Sequence, residues 1–241
     1  MCKKWCCFLV LCFCVAVSGA EHKQVTDPDP NRWEEAIQRF EKWDSQNSFS
    51  CNAVLFVGSS SVRQWATHNY FPEFSVINRG FGGSHISDVN FYAERIMLSY
   101  KPSVIVFYAG DNDIADGKSP QRVFEDYRKF TRLVHEKLPT TQIIFISIKP
   151  SLSRWSFWPL MNETNLLVKD FSAKDKRLYF VDAASVLLGS NGRPNAELFM
   201  EDNLHLNDKG YEAWTGVLKP VIEQALKSFN GNPHSHLEEH N

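Results

Sequence analysis

Beyond residue 20 the chain has almost no cysteine: of six in all, Cys2, Cys6, Cys7, Cys12 and Cys14 crowd the first residues and only Cys51 follows. A chain with one cysteine has no internal disulfide available, so its stability must come from an apolar core. Cys51 precedes an apolar run and reads as a small buried hydrophobe, not a nucleophile. Charge of one sign is equally scarce: 26 Lys and Arg stand against 28 Asp and Glu, a formal net of -2. No block of like charges tracks a nucleic-acid backbone or holds an anionic membrane surface, and no nucleic-acid partner is expected. No apolar run reaches the roughly 20 residues that span a bilayer. Gly80-Phe81-Gly82-Gly83-Ser84-His85 lacks the third glycine of a dinucleotide loop, and no Gly-Lys-Ser/Thr of a phosphate loop follows. Gly58-Ser59-Ser60-Ser61-Val62 lacks the closing glycine of a G-x-S-x-G elbow.

The first 20 residues do have a pattern. Lys3 and Lys4 precede the apolar run Cys6 to Val17, and Ser18-Gly19-Ala20 offers small residues for cleavage. That layout predicts a secretory signal peptide over 1–20, export to the periplasm or outside the cell, and no stable membrane insertion after cleavage. A lipoprotein signal would place a small residue before its cysteine, where Leu11 and Phe13 stand before Cys12 and Cys14. Residues 21–229 suit one α/β domain, and the polar tail 230–241, with His234, His236 and His240, is expected to be disordered.

Within the domain, Asp29 and Pro30 make an N-cap and first helical position, and Trp33, Ile37, Phe40 and Trp43 then recur at helical spacing on one broad packing face. Short β-branched runs alternate with longer helical-period segments. The strands are Ala53 to Val57, Ser75 to Ile77, Val104 to Tyr108, Ile143 to Ile148 and Leu178 to Val181. The helices between and after them are Ile86 to Leu98, Pro120 to Leu138, Leu160 to Phe171 and about Asp208 to Phe229. This alternation predicts an α/β fold, a three-layer α/β/α sandwich around a five-stranded parallel, flavodoxin-like sheet.

In such a sheet, reactive groups gather beyond the carboxyl ends of the strands. The first three strands end in Gly58-Ser59-Ser60-Ser61, Gly80-Phe81-Gly82-Gly83 and Gly110-Asp111-Asn112-Asp113. Each alone is explained by turn relief and helix capping. Asp202-Asn203-Leu204-His205 lies before the last helix, where a turn would let the carboxylate orient the imidazole and stabilise its charged form. Their joint occurrence, in this order at one edge, is what carries information.

The segments Phe-Val-Gly-Ser-Ser-Ser, Gly-Phe-Gly-Gly-Ser, Tyr-Ala-Gly-Asp-Asn-Asp and Leu-His-Leu-Asn resemble the four blocks of the SGNH (GDSL-like) hydrolases over roughly Val54 to Leu218, in the branch related to the platelet-activating-factor acetylhydrolase catalytic subunit. The resemblance implies Ser60 as nucleophile, His205 as base, Asp202 as its partner, and an oxyanion hole from Ser60, Gly83 and Asn112. It departs from the family in one place: the Asp and Leu that flank the nucleophile in Gly-Asp-Ser-Leu are here Ser59 and Ser61. The implied activity is a serine-dependent carboxylic ester hydrolase without cofactor or metal, taking small acyl groups such as acetyl from carbohydrate or similar small-molecule esters. Alternatives are a lysophospholipase or thioesterase of the same family and, in a different class, a non-catalytic glycan-binding module. Asp111, Asp113 and His205 also permit a metal-assisted reading, against which no second histidine stands at ligand spacing. After the fourth strand, Arg154, Trp155 and Trp158 border the expected reactive edge. They are candidate substrate-binding residues, stacking on a sugar or lining an acyl pocket, while filling a crevice under the loop is the structural alternative.

Overall fold

The computed structural model describes residues 25–50 and 52–231; the signal-like segment, Cys51 and most of the histidine-containing tail lie outside the described residues. Five strands, β1 (Val54–Gly58), β2 (Val76–Gly80), β3 (Val104–Tyr108), β4 (Gln142–Ile146) and β5 (Leu178–Val181), form one sheet of order β2-β1-β3-β4-β5. Every pairing is parallel, with Val54 opposite both Val76 and Val104. This is the expected three-layer α/β/α arrangement.

The side-chain alternation of a strand divides the core between the two faces. Leu55, Val57, Ile105, Phe107, Ile143 and Phe145 point to one side, and Val54, Phe56, Val106, Tyr108, Ile144 and Ile146 to the other. Helices α1 (Glu34–Asp44), α4 (Ile86–Phe91), α5 (Ala93–Ile96), α7 (Pro120–Lys137) and α8 (Trp158–Ser172) supply the first layer. The second is dominated by α9 (Asp208–Asn230), through Tyr211, Trp214, Leu218 and Ile222, with Val62 from α2 (Ser60–Arg63) and Phe71 next to α3 (Thr67–Tyr70).

Several boundaries differ from the sequence expectation for physical reasons. Strand β2 runs on through Asn78 and Arg79, polar residues that find partners: Asn78 donates to the Val62 and Trp65 carbonyls, and Arg79 pairs with Asp44 beneath the rings of Phe40, Phe49 and Tyr100. The helix expected from Ile86 to Leu98 breaks at Tyr92, whose ring meets Phe81 edge-on and whose hydroxyl donates to the Pro30 carbonyl. Trp43 does not pack with Trp33, Ile37 and Phe40; it is 58% exposed. At 3.6 residues per turn, position 44 returns to within about 20° of position 37, whereas position 43 lies about 120° away. Asp44 is accordingly the residue that faces inward, toward Arg79 and Tyr100.

The N-terminal lead-in is tied to the body by charge as well as by packing. Asp29 caps the chain through the Asn31 N–H, Arg32 and the Trp33 indole N–H both reach Asp88, and Asp27 meets Lys118 at 2.8 Å. Lys118 is fully buried, and also faces Asp113 at 2.8 Å and Asp126 at 3.1 Å. Removing the cation alone would strand buried carboxylates. Lys118→Met should therefore lower stability by about 3–5 kcal/mol, read as a large drop in thermal midpoint; a midpoint near wild type would show that the cluster carries no net stabilisation.

Candidate active site

The first site residue owes its place to a backbone contact. A Cβ on Gly58 would lie 1.8 Å from the Tyr108 carbonyl oxygen, and φ of 142° is open to glycine alone, so β1 ends in close contact with β3. Ser59 N–H then donates to that same carbonyl at 2.9 Å, and the chain turns off the sheet with Ser60 as the first residue of α2.

From the opposite side of the sequence comes the turn before α9. Asn203 adopts a left-handed φ of 58°, and the Met200 N–H donates to the His205 carbonyl at 2.8 Å, closing the turn. Asp202 Oδ1 accepts from the N–H groups of Leu204 and His205, both at 2.9 Å, and its Oδ2 accepts from His205 Nδ1 at 2.6 Å. Because a carboxylate can only accept, the imidazole proton sits on Nδ1, which leaves Nε2 free as an acceptor. Ser60 Oγ donates to it at 2.8 Å. The Tyr211 hydroxyl, from α9, donates to the Ser61 carbonyl and so fastens the two halves together. The structure thus brings Ser60, His205 and Asp202 into one hydrogen-bonded line.

Gly83 and Asn112 also meet. A Cβ built on Gly83 would lie 3.8 Å from Asn112 Nδ2, an ordinary contact, so the protein itself leaves room there for alanine. Among the described residues neither the Ser60 nor the Gly83 N–H donates to a protein group. Asn112, from α6 (Asp111–Ala115), gives one Nδ2 hydrogen to the Ser84 carbonyl at 3.1 Å and accepts at Oδ1 from Arg154 Nη1 at 3.0 Å. Next to it, Gly82 has φ of 41°, and its Cβ position is filled by the Trp33 ring, 2.0 Å away, so the lead-in braces this loop directly. Three groups that can receive negative charge therefore come from three successive strand ends.

The flanking aspartates serve cations more than backbone N–H groups. Buried Asp111 meets Lys149 Nζ at 3.0 Å and Arg154 at 3.1 Å; burial raises its pKa, but the two cations outweigh it and hold the carboxyl below its ordinary range. Asp113 meets Lys118 and receives the Ile86 N–H at 3.3 Å. No group of three metal-type ligands occurs among the described residues. The candidate substrate-binding residues separate: Arg154 turns inward to Asp111 and Asn112, whereas Trp155 and Trp158 lie parallel, 6.2 Å between centroids, with the Arg193 guanidinium 5.3 Å over Trp155. Trp158 also packs against the core and lines a cleft of about 210 Å³ with Phe180, Asn162 and Asp182. Sequence reading missed Lys149 and Arg193. Lys149 had a signal, a cation placed directly after an apolar strand; Arg193 had none.

The sequence profile of the GDSL-like lipase/acylhydrolase family matches residues 57–213, which holds every residue of this line and of the charge-receiving groups. The chain belongs to the GDSL-like lipase/acylhydrolase family. Solved structures agree on its fold. A protein from Streptococcus pneumoniae provisionally described as a platelet activating factor is 20% identical, with TM-score 0.71 over 79% of this chain and 93% of that one. A GDSL-like lipase from Bacteroides thetaiotaomicron is also 20% identical, with TM-score 0.66 over 78% and 98%. A carbohydrate esterase family 3 protein from Talaromyces cellulolyticus is 15% identical, with TM-score 0.60 over 72% and 97%. No curated protein matches the chain in sequence.

Burial raises the Asp202 pKa in this GDSL-like acylhydrolase, but the His205 side-chain and backbone hydrogen bonds prevail and hold it down at about 2. A carboxyl whose folded pKa lies below its unfolded value adds stability above the unfolded value and loses it as pH falls through the folded one. The stability difference between wild type and Asp202→Asn should therefore be constant above the ordinary carboxylate range and shrink as pH falls toward 2. Parallel denaturation curves at all pH values would show that the hydrogen bonds do not hold the carboxylate ionised.

Proposed function

We propose that the protein is a serine-dependent carboxylic ester hydrolase acting through an acyl-enzyme. The observation that carries this reading is the unbroken line from Ser60 through His205 to Asp202, at 2.8 and 2.6 Å. His205 Nε2 takes the Ser60 hydroxyl proton as Oγ bonds to the ester carbonyl carbon, and the carbonyl electron pair moves onto oxygen. The N–H groups of Ser60 and Gly83 and the Asn112 amide stabilise that oxyanion. When the tetrahedral carbon collapses, its bond to the alcohol oxygen breaks and His205 returns the proton to the leaving group. Water, giving its proton to His205, then repeats the attack and releases the acid and Ser60. Asp202 stabilises the imidazolium at both stages.

The substrates proposed are small acyl esters, acetyl above all, on carbohydrate or similar polyols met outside the cytoplasm. The parallel pair Trp155 and Trp158, half-buried, supports this, because aromatic rings offer flat apolar surface to a sugar, and the Arg193 guanidinium lies over the Trp155 ring as a further polar contact.

Treating the purified mature protein with a fluorophosphonate should modify Ser60 and no other serine, located by mass spectrometry. Ser60→Ala and His205→Ala should each remove nearly all esterase activity with thermal midpoints near wild type, and the double variant should be little worse than either, since triad members act as a unit. Additive losses, or an adduct elsewhere, would refute the mechanism. Trp155→Ala should raise KM for an acetylated oligosaccharide by roughly 1–3 kcal/mol in equivalent binding energy, by analogy with aromatic stacking on planar ligands, and leave hydrolysis of a small aryl acetate unchanged. Equal loss on both esters, at an unchanged thermal midpoint, would end the carbohydrate reading.

A further inference from the structure

A side-chain amide placed to stabilise an oxyanion has a defect that a backbone N–H lacks: it can turn over. Its oxygen and nitrogen have nearly the same shape, and rotation by half a turn would present a lone pair where a hydrogen is needed. Whatever surrounds Asn112 must therefore distinguish its two ends.

Two neighbours do so. The Arg154 guanidinium carries only donors and lies 3.0 Å from Oδ1; the Ser84 carbonyl can only accept and lies 3.1 Å from Nδ2. In the turned-over state a donor would face the guanidinium and a lone pair would face the carbonyl. Asn112 is 8% exposed and Ser84 fully buried, so water has little access to relieve either mismatch. Of the two contacts, the one to Ser84 uses one Nδ2 hydrogen and leaves the second free, while the one to Arg154 sits on the oxygen and leaves both hydrogens available.

Arg154 is itself held. Its Nη1 meets Asp111 Oδ2 at 3.1 Å, and Asp111 is also paired with Lys149, whose Nζ donates to the Tyr108 hydroxyl at 3.2 Å. One carboxylate thus faces two buried or half-buried cations, which leaves an excess of positive charge behind the amide. A guanidinium drawing on Oδ1 also strengthens Nδ2 as a donor, because hydrogen bonds in series polarise one another.

We infer that Arg154 is a positioning residue for ester hydrolysis: it fixes the Asn112 amide with Nδ2 toward the developing oxyanion, and it acts through that amide and not by touching substrate. This rests on the esterase reading above and assigns Arg154 a role distinct from the leaving-group contact that its place in the sequence suggests.

A double-mutant cycle tests it, using kcat and KM for a small aryl acetate in wild type, Arg154→Met, Asn112→Ala and the double variant. Arg154→Met should lower kcat roughly ten- to a hundredfold, less than the 10²–10³-fold expected for loss of the donor itself in Asn112→Ala, with KM little changed. Arg154→Lys should recover part of the loss. In the Asn112→Ala background, Arg154→Met should have almost no further effect, since the two residues act on one interaction. Equal losses in both backgrounds, or a loss confined to KM, would overturn the inference. A crystal structure of Arg154→Met provides a readout that needs no activity: Asn112 should be displaced from Ser84 or reversed, and an amide unmoved from its wild-type contacts would also overturn it. Fluorophosphonate labelling of Ser60 in both wild type and Arg154→Met separates the two levels, because labelling of both with equal losses in the two backgrounds removes only the role of Arg154, whereas absence of labelling in wild type removes the esterase reading.

Discussion

The Tyr108 carbonyl oxygen lies so close to the backbone of residue 58 that no side chain fits between them, and the reactive edge is organised around that contact. It ends β1 hard against β3, turns Ser59 so that its N–H binds the same carbonyl, and leaves Ser60 at the start of a helix, clear of the sheet. The Phe81 N–H donates in turn to the Gly58 carbonyl at 3.0 Å, so the β2 loop leaves the sheet alongside Ser60. Parallel pairing does the rest: three adjacent strands ending in register deliver three loops to one place without any long-range search by side chains.

Where strands were apolar and helices carried their period, the sequence was sufficient: the five strands and the long helices α7 and α9 follow from runs such as Val104 to Tyr108 and from spacing. The candidate site was legible as a grouping: small and polar residues after successive strands, read with the resemblance to the family's four blocks, pointed to Ser60, Gly83, Asn112, Asp202 and His205, and these meet at one edge of the sheet. What could not be read were features set by three-dimensional partners. Asn78 and Arg79 belong to a strand because Val62, Trp65 and Asp44 satisfy them, and Asp44 faces inward in place of Trp43 because the helical angle brings it there. The inward turn of Arg154 depends on Asp111, 43 residues away, and periodicity carries no trace of it.

Charge is used in this protein as internal scaffolding. Lys118 gathers Asp27, Asp113 and Asp126; Lys149 and Arg154 share Asp111; Arg32 closes on Asp88. Each of these buried ions has a partner, which is the condition under which such groups are tolerated away from water. Two of these sets border the loops after β2 and β3, and one of them anchors the lead-in whose Trp33 ring fills the space beside Gly82. Residues far from Ser60 in the chain thereby pack directly against the glycine loop.

The Ser153 N–H donates to the Asn203 carbonyl at 3.1 Å, so the loop after β4 is stitched to the turn that carries Asp202 and His205. Its next residue, Arg154, holds Asn112. The contact to the turn of Asp202 and His205 and the contact to Asn112 thus come from adjacent positions of one crossing, the first through backbone and the second through a side chain. A shift of this one crossing would therefore reach the turn that carries Asp202 and His205 and the Asn112 amide together.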